Sequence, residues 1–219
     1  MRSKQRAVEG ARDGGALATR KRLLDAAVEC LIEFGVAGTT TLAVQHRADV
    51  SRGALLHHFP SHAALLAATV AELVERNEKA VSLSQSDWRA SRDPLDAAMR
   101  SLAFAARQPA YLAELELWAV ARTDASLKQA LIAAERAARR DFDRVHSNLF
   151  GKWIESDAYD DVVSLTQHFM RGLAISENIR SSPQRRERLI AAWTKAMRSM
   201  LEKARKKEPP ERHEEKLNE

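Results

Sequence analysis

Residues 39–62 read TTTLAVQHRADVSRGALLHHFPSH, and the architecture is decided there. Thr39 and Thr40 precede a short apolar-periodic run through Leu42 and Val44 to about Ala48, a pattern that predicts a helix. The pattern breaks at Asp49. Ser51 is a good N-cap for a further short helix, which Pro60 ends. Val50, just outside that cap, is placed to pack on Leu55 as a hydrophobic staple. Val44, Ala48, Val50, Leu55 and Phe59 then share one small core, and two short helices joined by so short a turn have helix-turn-helix geometry. With Leu55 and Phe59 inward, the helical period turns Arg52, Gly53, Leu56 and His57 outward as a small, polar, basic face.

Upstream, Leu23, Leu24, Ala27, Val28, Leu31 and Ile32 repeat at three and four, predicting a helix capped by Thr19 and stopped at Gly35. Downstream, a helix begins near Ser61 and runs to about Val81, followed by a polar connection over 82–92. Further helices are expected from Asp93-Pro94 to about Arg107, from Pro109 to about Arg122, and from an Asp124 cap to Phe150-Gly151. Two more are expected from Ser156 or Asp157 to Ile179, and from Ser182-Pro183 to about Lys206. The reading is therefore all-α, about nine helices and no strand. The composition agrees: 45% hydrophobic, 30% charged and only 5% aromatic.

Residues 1–17 hold three glycines among scattered charges and read as a disordered basic arm, whose Arg2, Lys4, Arg6 and Arg12 are within reach of phosphates beside a docked domain. Residues 207–219 read as a charged disordered tail. The net charge of +5 favours a polyanionic partner only weakly. Cys30, the single cysteine, excludes an intrachain disulfide and is expected to be buried by packing against Ala27, Leu31 and Phe34. Apolar stretches are broken by charge well before the roughly 18 residues of a membrane span, and no signal-peptide core opens the chain, so a cytoplasmic protein is expected.

The run from Thr39-Thr40 to Val44, then Ala48-Asp49-Val50-Ser51-Arg52-Gly53-Ala54-Leu55, then His57-His58-Phe59-Pro60-Ser61 resembles the signature of the tetracycline-repressor (TetR) family. The likeness covers about residues 18–75. It implies a helix-turn-helix DNA-binding domain over 18–62 and a helical effector-binding and dimerisation domain over 63–206. It also implies a ligand-responsive repressor working as a homodimer on a palindromic operator in double-stranded DNA. It carries DNA contact onto Thr40, Thr41, Arg52, Gly53, Ala54, Leu56, His57 and His62. Arg52 suits a guanine edge or a phosphate, Gly53 and Ala54 permit close backbone approach, and Thr40 and Thr41 suit a phosphate at a helix N-terminus. Three residues depart from the family pattern. Leu56 stands where tyrosine is usual, His62 where lysine is usual, and Asp49 where glycine is usual, a place Asp tolerates because it enters the left-handed region readily.

In the last two helices the resemblance implies a four-helix dimer interface, with Phe169, Leu173, Leu189, Trp193, Met197 and Met200 as its apolar residues and Ala174, Ala192 and Ala196 allowing close approach. Met99, Phe104, Tyr111, Leu112, Leu115, Trp118 and Phe142 are candidates to line a cavity for a partly apolar effector, with Glu114, Glu116 and His168 as polar handles. An aromatic or Met stripe of this kind is more often core than cavity lining. No cofactor is expected, and no Gly-rich phosphate loop, nucleophile elbow or HExxH sequence supports an enzyme. His46, His57, His58 and His62 raise zinc, but Pro60 breaks the helix that would set His58 and His62 on one face. An architectural DNA-binding protein without a sensor is the remaining alternative.

Overall fold

A computed structural model describes residues 2–88 and 93–204. Nine α-helices follow one another, and no strand occurs among the described residues: α1 (Arg2–Gly38), α2 (Thr41–Ala48), α3 (Arg52–His58), α4 (His62–Trp88), α5 (Pro94–Ala105), α6 (Pro109–Ala121), α7 (Ala125–Phe150), α8 (Tyr159–Ile179) and α9 (Pro183–Lys203). A 3-10 turn, Gly151–Glu155, joins α7 to α8.

Most helix starts follow from local cap chemistry. Thr40, Ser51 and Ser61 accept the backbone N–H groups of Ala43, Ala54 and Ala64. Asp93, Asp124 and Ser182 do the same for α5, α7 and α9, and Pro94, Pro109 and Pro183 occupy first turns where a missing N–H costs nothing. Asp49 takes the left-handed conformation after α2, at φ 51° and ψ 56°.

Four boundaries differ from expectation. Thr19 lies inside α1, where its hydroxyl donates to the Gly15 carbonyl. The backbone of residues 2–17, expected as a flexible arm, continues this helix, since extending a formed helix is far easier than nucleating one and no proline intervenes. The Arg2, Lys4, Arg6 and Arg12 side chains lie outside the described residues. Gly35 leaves helical geometry at φ 68° and ψ −176°, yet one more turn follows to Gly38. Helix α4 passes Val81 and runs to Trp88, with the buried Ser84 hydroxyl bonded back to the Val81 carbonyl. Helix α8 starts at Tyr159, and the buried Ser156 hydroxyl before it donates to the Leu201 carbonyl near the end of α9 while accepting the Ala158 N–H. The expected tail, 207–219, lies outside the described residues.

Three apolar clusters hold the molecule. In the first, Leu23, Ala27 and Cys30 of α1 meet Val44 and Ala48 of α2, Leu55 of α3, Phe59 that caps α3, and Leu65 of α4. Burial pushes the Cys30 thiol pKa up, as expected for a packed rather than reactive thiol. Phe34, in contrast, is half exposed under the Arg47 guanidinium. In the second cluster, Val28 and Leu31 of α1 pack with Leu66, Val70 and Leu73 of α4, Leu117 of α6 and Leu127 of α7. The third joins α5, α7, α8 and α9 around Leu95, Met99, Phe150, Met197 and Leu201.

Gly35 is a tight point of the backbone. Besides its positive φ, a Cβ there would lie 2.8 Å from Oε1 of Glu116 on α6. Gly35→Ala is expected to cost roughly 1–3 kcal/mol in urea unfolding. An unchanged midpoint would show that α1 and α6 are not in contact as described.

Candidate nucleic-acid interface

The α2–turn–α3 unit is held from behind by α1. The Arg22 guanidinium donates to the carbonyls of Ala48 and Asp49, satisfying the end of α2 and fixing the turn. Arg47 pairs with Glu33, and Arg20 lies over the Phe59 ring at 5.2 Å. Leu55 and Phe59 are buried as the helical period requires.

Helix α3 consequently presents Arg52, Gly53, Leu56 and His57 to solvent, with Ala54 half-buried beside them. Leu56 is 42% exposed. The Gly53 position is open. A Cβ there would meet nothing nearer than Ser51 Oγ at 3.9 Å, so no internal contact requires glycine. Thr40 is exposed; its oxygen accepts from Ala43, and its hydroxyl hydrogen stays available to an outside acceptor. Thr41, at the first turn of α2, is half-buried.

His62, expected from the resemblance to give a weaker phosphate contact than the usual lysine, has an internal partner. Its Nε2 lies 2.6 Å from the Thr39 carbonyl. A carbonyl only accepts, so Nε2 carries a hydrogen and is already committed; a phosphate is left with Nδ1, which donates only in the imidazolium. His62 thus ties the start of α4 to the residue before the α2 cap. Thr39 itself is fully buried, with its hydroxyl on the Gly35 carbonyl at 2.7 Å. Among the described residues no group of three His, Cys, Asp or Glu side chains is arranged to hold a metal ion.

A second site lies away from this face. A cavity of about 380 Å³ opens between α4, α5, α6, α7 and α8. Leu115, Trp118 and Phe142 line it as expected, with Tyr111 and Glu114. The other candidates are elsewhere. Met99 is wholly in the core, Leu112 packs against that core, and Phe104 is 45% exposed on the outer side of α5. His168 is exposed and bonded to the Ser164 carbonyl, and Glu116 turns to the opposite face of α6, where it accepts the Val36 N–H at 2.7 Å. Asn77, His146 and Arg171, not foreseen from the sequence, also line the cavity.

Its polar groups are strongly perturbed. Loss of water raises the Glu114 carboxyl, although Asn77 Nδ2 donates to it at 2.6 Å. Burial pushes the Tyr111 hydroxyl up to about 12, against the nearby Arg171 guanidinium. Burial lowers the His146 imidazole, whose ring stacks on Phe142 at 3.7 Å.

On the α8–α9 surface, Leu173, Ala174 and Met197 are core residues and so cannot meet a partner. Phe169 and Trp193 stack on each other at 5.8 Å, and Trp193 Nε1 donates to Thr166. The apolar side chains left outside are Leu165, Ile175, Ile179 and Leu189, with Ala192 and Ala196 beside them.

Residues 23–69 match the family model described as bacterial regulatory proteins, tetR family. That span contains α2, α3 and the parts of α1 and α4 that bury them. Residues 23–69 carry a helix-turn-helix domain of the tetR family of bacterial regulatory proteins. An uncharacterised HTH-type transcriptional regulator of Mycobacterium tuberculosis is 28% identical over 178 residues, which is 80% of this chain and 91% of that one. Salmonella enterica GusR shares the fold at a TM-score of 0.60 and 22% identity, over 85% of this chain and 96% of its own. The multidrug binding protein EbrR complexed with ethidium does so at 0.58 and 21%, over 81% and 96%. The matched domain and the curated relatives place the protein among DNA-binding transcriptional regulators. No described helix is long and apolar enough to cross a membrane.

The open Gly53 position yields a test that separates folding from DNA contact. Gly53→Ala is expected to stabilise the protein by about 0.5–1 kcal/mol, because alanine is the better helix former and its Cβ has room. The same change is expected to weaken DNA binding measured by fluorescence anisotropy. Tighter or equal DNA binding would remove α3 from the interface.

Proposed function

We propose that the protein is a small-molecule-responsive repressor, acting in the cytoplasm as a homodimer on a palindromic operator. The observation that carries this is the exposed α3 face of Arg52, Gly53, Leu56 and His57 on a well-packed helix-turn-helix, together with a partly open cavity between the later helices. Arg52 reads a base edge, Gly53 and Ala54 let the backbone approach, and Leu56 and His57 complete the groove contact. Thr40 and Thr41 position the domain on phosphate, joined by His62 when its ring is charged. The cavity reading is supported by EbrR, a fold relative whose structure contains ethidium.

Two copies meet through α8 and α9, using the exposed Leu165, Ile175, Ile179 and Leu189 together with the edges of Phe169, Trp193 and Met200. Symmetry then sets two α3 helices about one DNA turn apart. A ligand held by α4, α6 and α7 changes that spacing by moving α4, whose first residue is tied to Thr39.

Selection of bound sites from random DNA is expected to enrich a palindrome. On the winning site, Arg52→Ala should cost about 1–3 kcal/mol and relax base choice in one half-site position, whereas Thr40→Ala should weaken all sequences alike. The reverse pattern, or no enrichment with a steep salt slope, would leave only nonspecific DNA binding.

Charge on the α8–α9 face tests the pairing. Ile175→Glu with Leu189→Glu is expected to halve the mass seen by sedimentation and abolish operator binding while leaving helicity intact. A species of unchanged mass would place the interface elsewhere.

A further inference from the structure

We infer that the cavity takes a molecule with an apolar, ring-bearing body and one protonated nitrogen, the nitrogen seated against Glu114 and Asn77. This deepens the sensing role proposed above and rests on it.

The argument is an account of donors and acceptors. Asn77 is nine-tenths buried at the cavity wall. Its Nδ2 is used on Glu114, which fixes the amide's orientation, and Oδ1 is left buried with no hydrogen-bond partner. An acceptor in that condition costs about 1–3 kcal/mol unless something donates to it. His146 adds a second acceptor. Its Nδ1 lies 3.0 Å from the Phe142 carbonyl and therefore carries the hydrogen, so the neutral ring keeps a lone pair at Nε2. When ionised, Glu114 and, at the rim, Glu135 present acceptors alone, and the Glu135 charge adds to the burial that raises the Glu114 carboxyl.

The cations in the wall are already engaged. The Arg171 guanidinium lies 4.2 Å over the Trp118 ring, close to Tyr111 and Glu114, and Arg139 pairs with Asp143 at 3.2 Å. Trp118 Nε1 is a buried donor in the same wall without a hydrogen-bond partner of its own, but the Glu114 carboxyl lies near enough to take it, so the net demand of the site is for hydrogen-bond donors and positive charge. Tyr111, Trp118 and Phe142 supply ring faces for the apolar body, and a ring also attracts a cation. A volume of about 380 Å³ is that of a small drug-like ligand.

The test uses three probes of one shape on the full chain: 1-naphthylmethylamine, 1-naphthylmethanol and 1-naphthoate, titrated by calorimetry. The amine is expected to bind at least about tenfold tighter than the other two, the gain of one charge-assisted hydrogen bond. Glu114→Gln should bring the amine down to the level of the alcohol while the alcohol binds as before, which also reports an intact fold. Arg171→Gln, which removes the competing cation, should tighten the amine. Tightest binding by 1-naphthoate, equal binding by all three, no binding by any, or a preference that survives Glu114→Gln would each overturn the inference. Operator release separates it from the sensing role. If the amine binds without altering operator affinity, sensing fails and the ligand class stands; if only the alcohol or the carboxylate releases operator, sensing stands and the ligand class fails.

Discussion

The structure depends on the burial of one helix in three cores in succession. Leu65 and Ala68 near the start of α4 belong to the helix-turn-helix cluster, Leu66, Val70 and Leu73 to the second cluster, and Ala80 and Val81 to the third. Each fully buried Leu or Val is worth about 1.5–3 kcal/mol, so no part of α4 is loosely attached. Ion pairs add direction: Lys21 and Arg76 join Asp25 of α1 to Glu72 and Arg76's own helix at 2.7–2.8 Å. A close-packed helix shared in this way moves as a unit or stays still.

What was legible in the sequence was the chemistry that acts over a few residues. Ser51, Asp124 and Ser182 cap the helices they precede because a short polar side chain reaches only the next three N–H groups. Ser156 has the same chemistry but reaches across 45 positions to Leu201, and no local pattern discloses that. Thr19 likewise reads as a cap until the upstream backbone continues the helix and leaves its hydroxyl a carbonyl four residues back. Such errors share a cause: the residue's local preference was real, and a tertiary or helical partner outbid it.

The two sites were legible to different degrees for a geometric reason. The α3 face follows from the period alone, because burying Leu55 and Phe59 decides where Arg52, Leu56 and His57 point. The cavity depends on how five helices are rotated about their axes. Met99 and Leu102, three apart on α5, divide between core and cavity with no difference in residue type to mark it. A usable signal was nevertheless present. Asn77 lies four residues after Leu73 and four before Val81, and His146 four after Phe142 and four before Phe150, so each polar residue sits within an apolar stripe. A polar side chain on that stripe is buried, and its hydrogen bonds then have to be found inside the protein or in a ligand.

The path from cavity to DNA-binding face is short. Helix α6 gives Glu114, Leu115 and Trp118 to the cavity, and Glu116 between them faces the other way to accept the Val36 N–H beside Gly35. Helix α4 gives Asn77 and Val81 to the same cavity, and its His62 holds the Thr39 carbonyl. Residues 35–39, the kinked last turn of α1 and the residue after it, are therefore gripped at one end by α6 and at the other by α4. Thr39 closes this segment on itself through the Gly35 carbonyl, which makes it a stiff unit rather than a slack loop. In the proposed switch, a ligand that spreads α4 from α6 pulls on both ends of this segment. It has only its own backbone torsions with which to yield, and α2 starts at Thr41, two residues beyond it. A change in helix separation at the cavity thus becomes a change in the tilt of α2 and α3, without any contact between the ligand and the face that meets DNA.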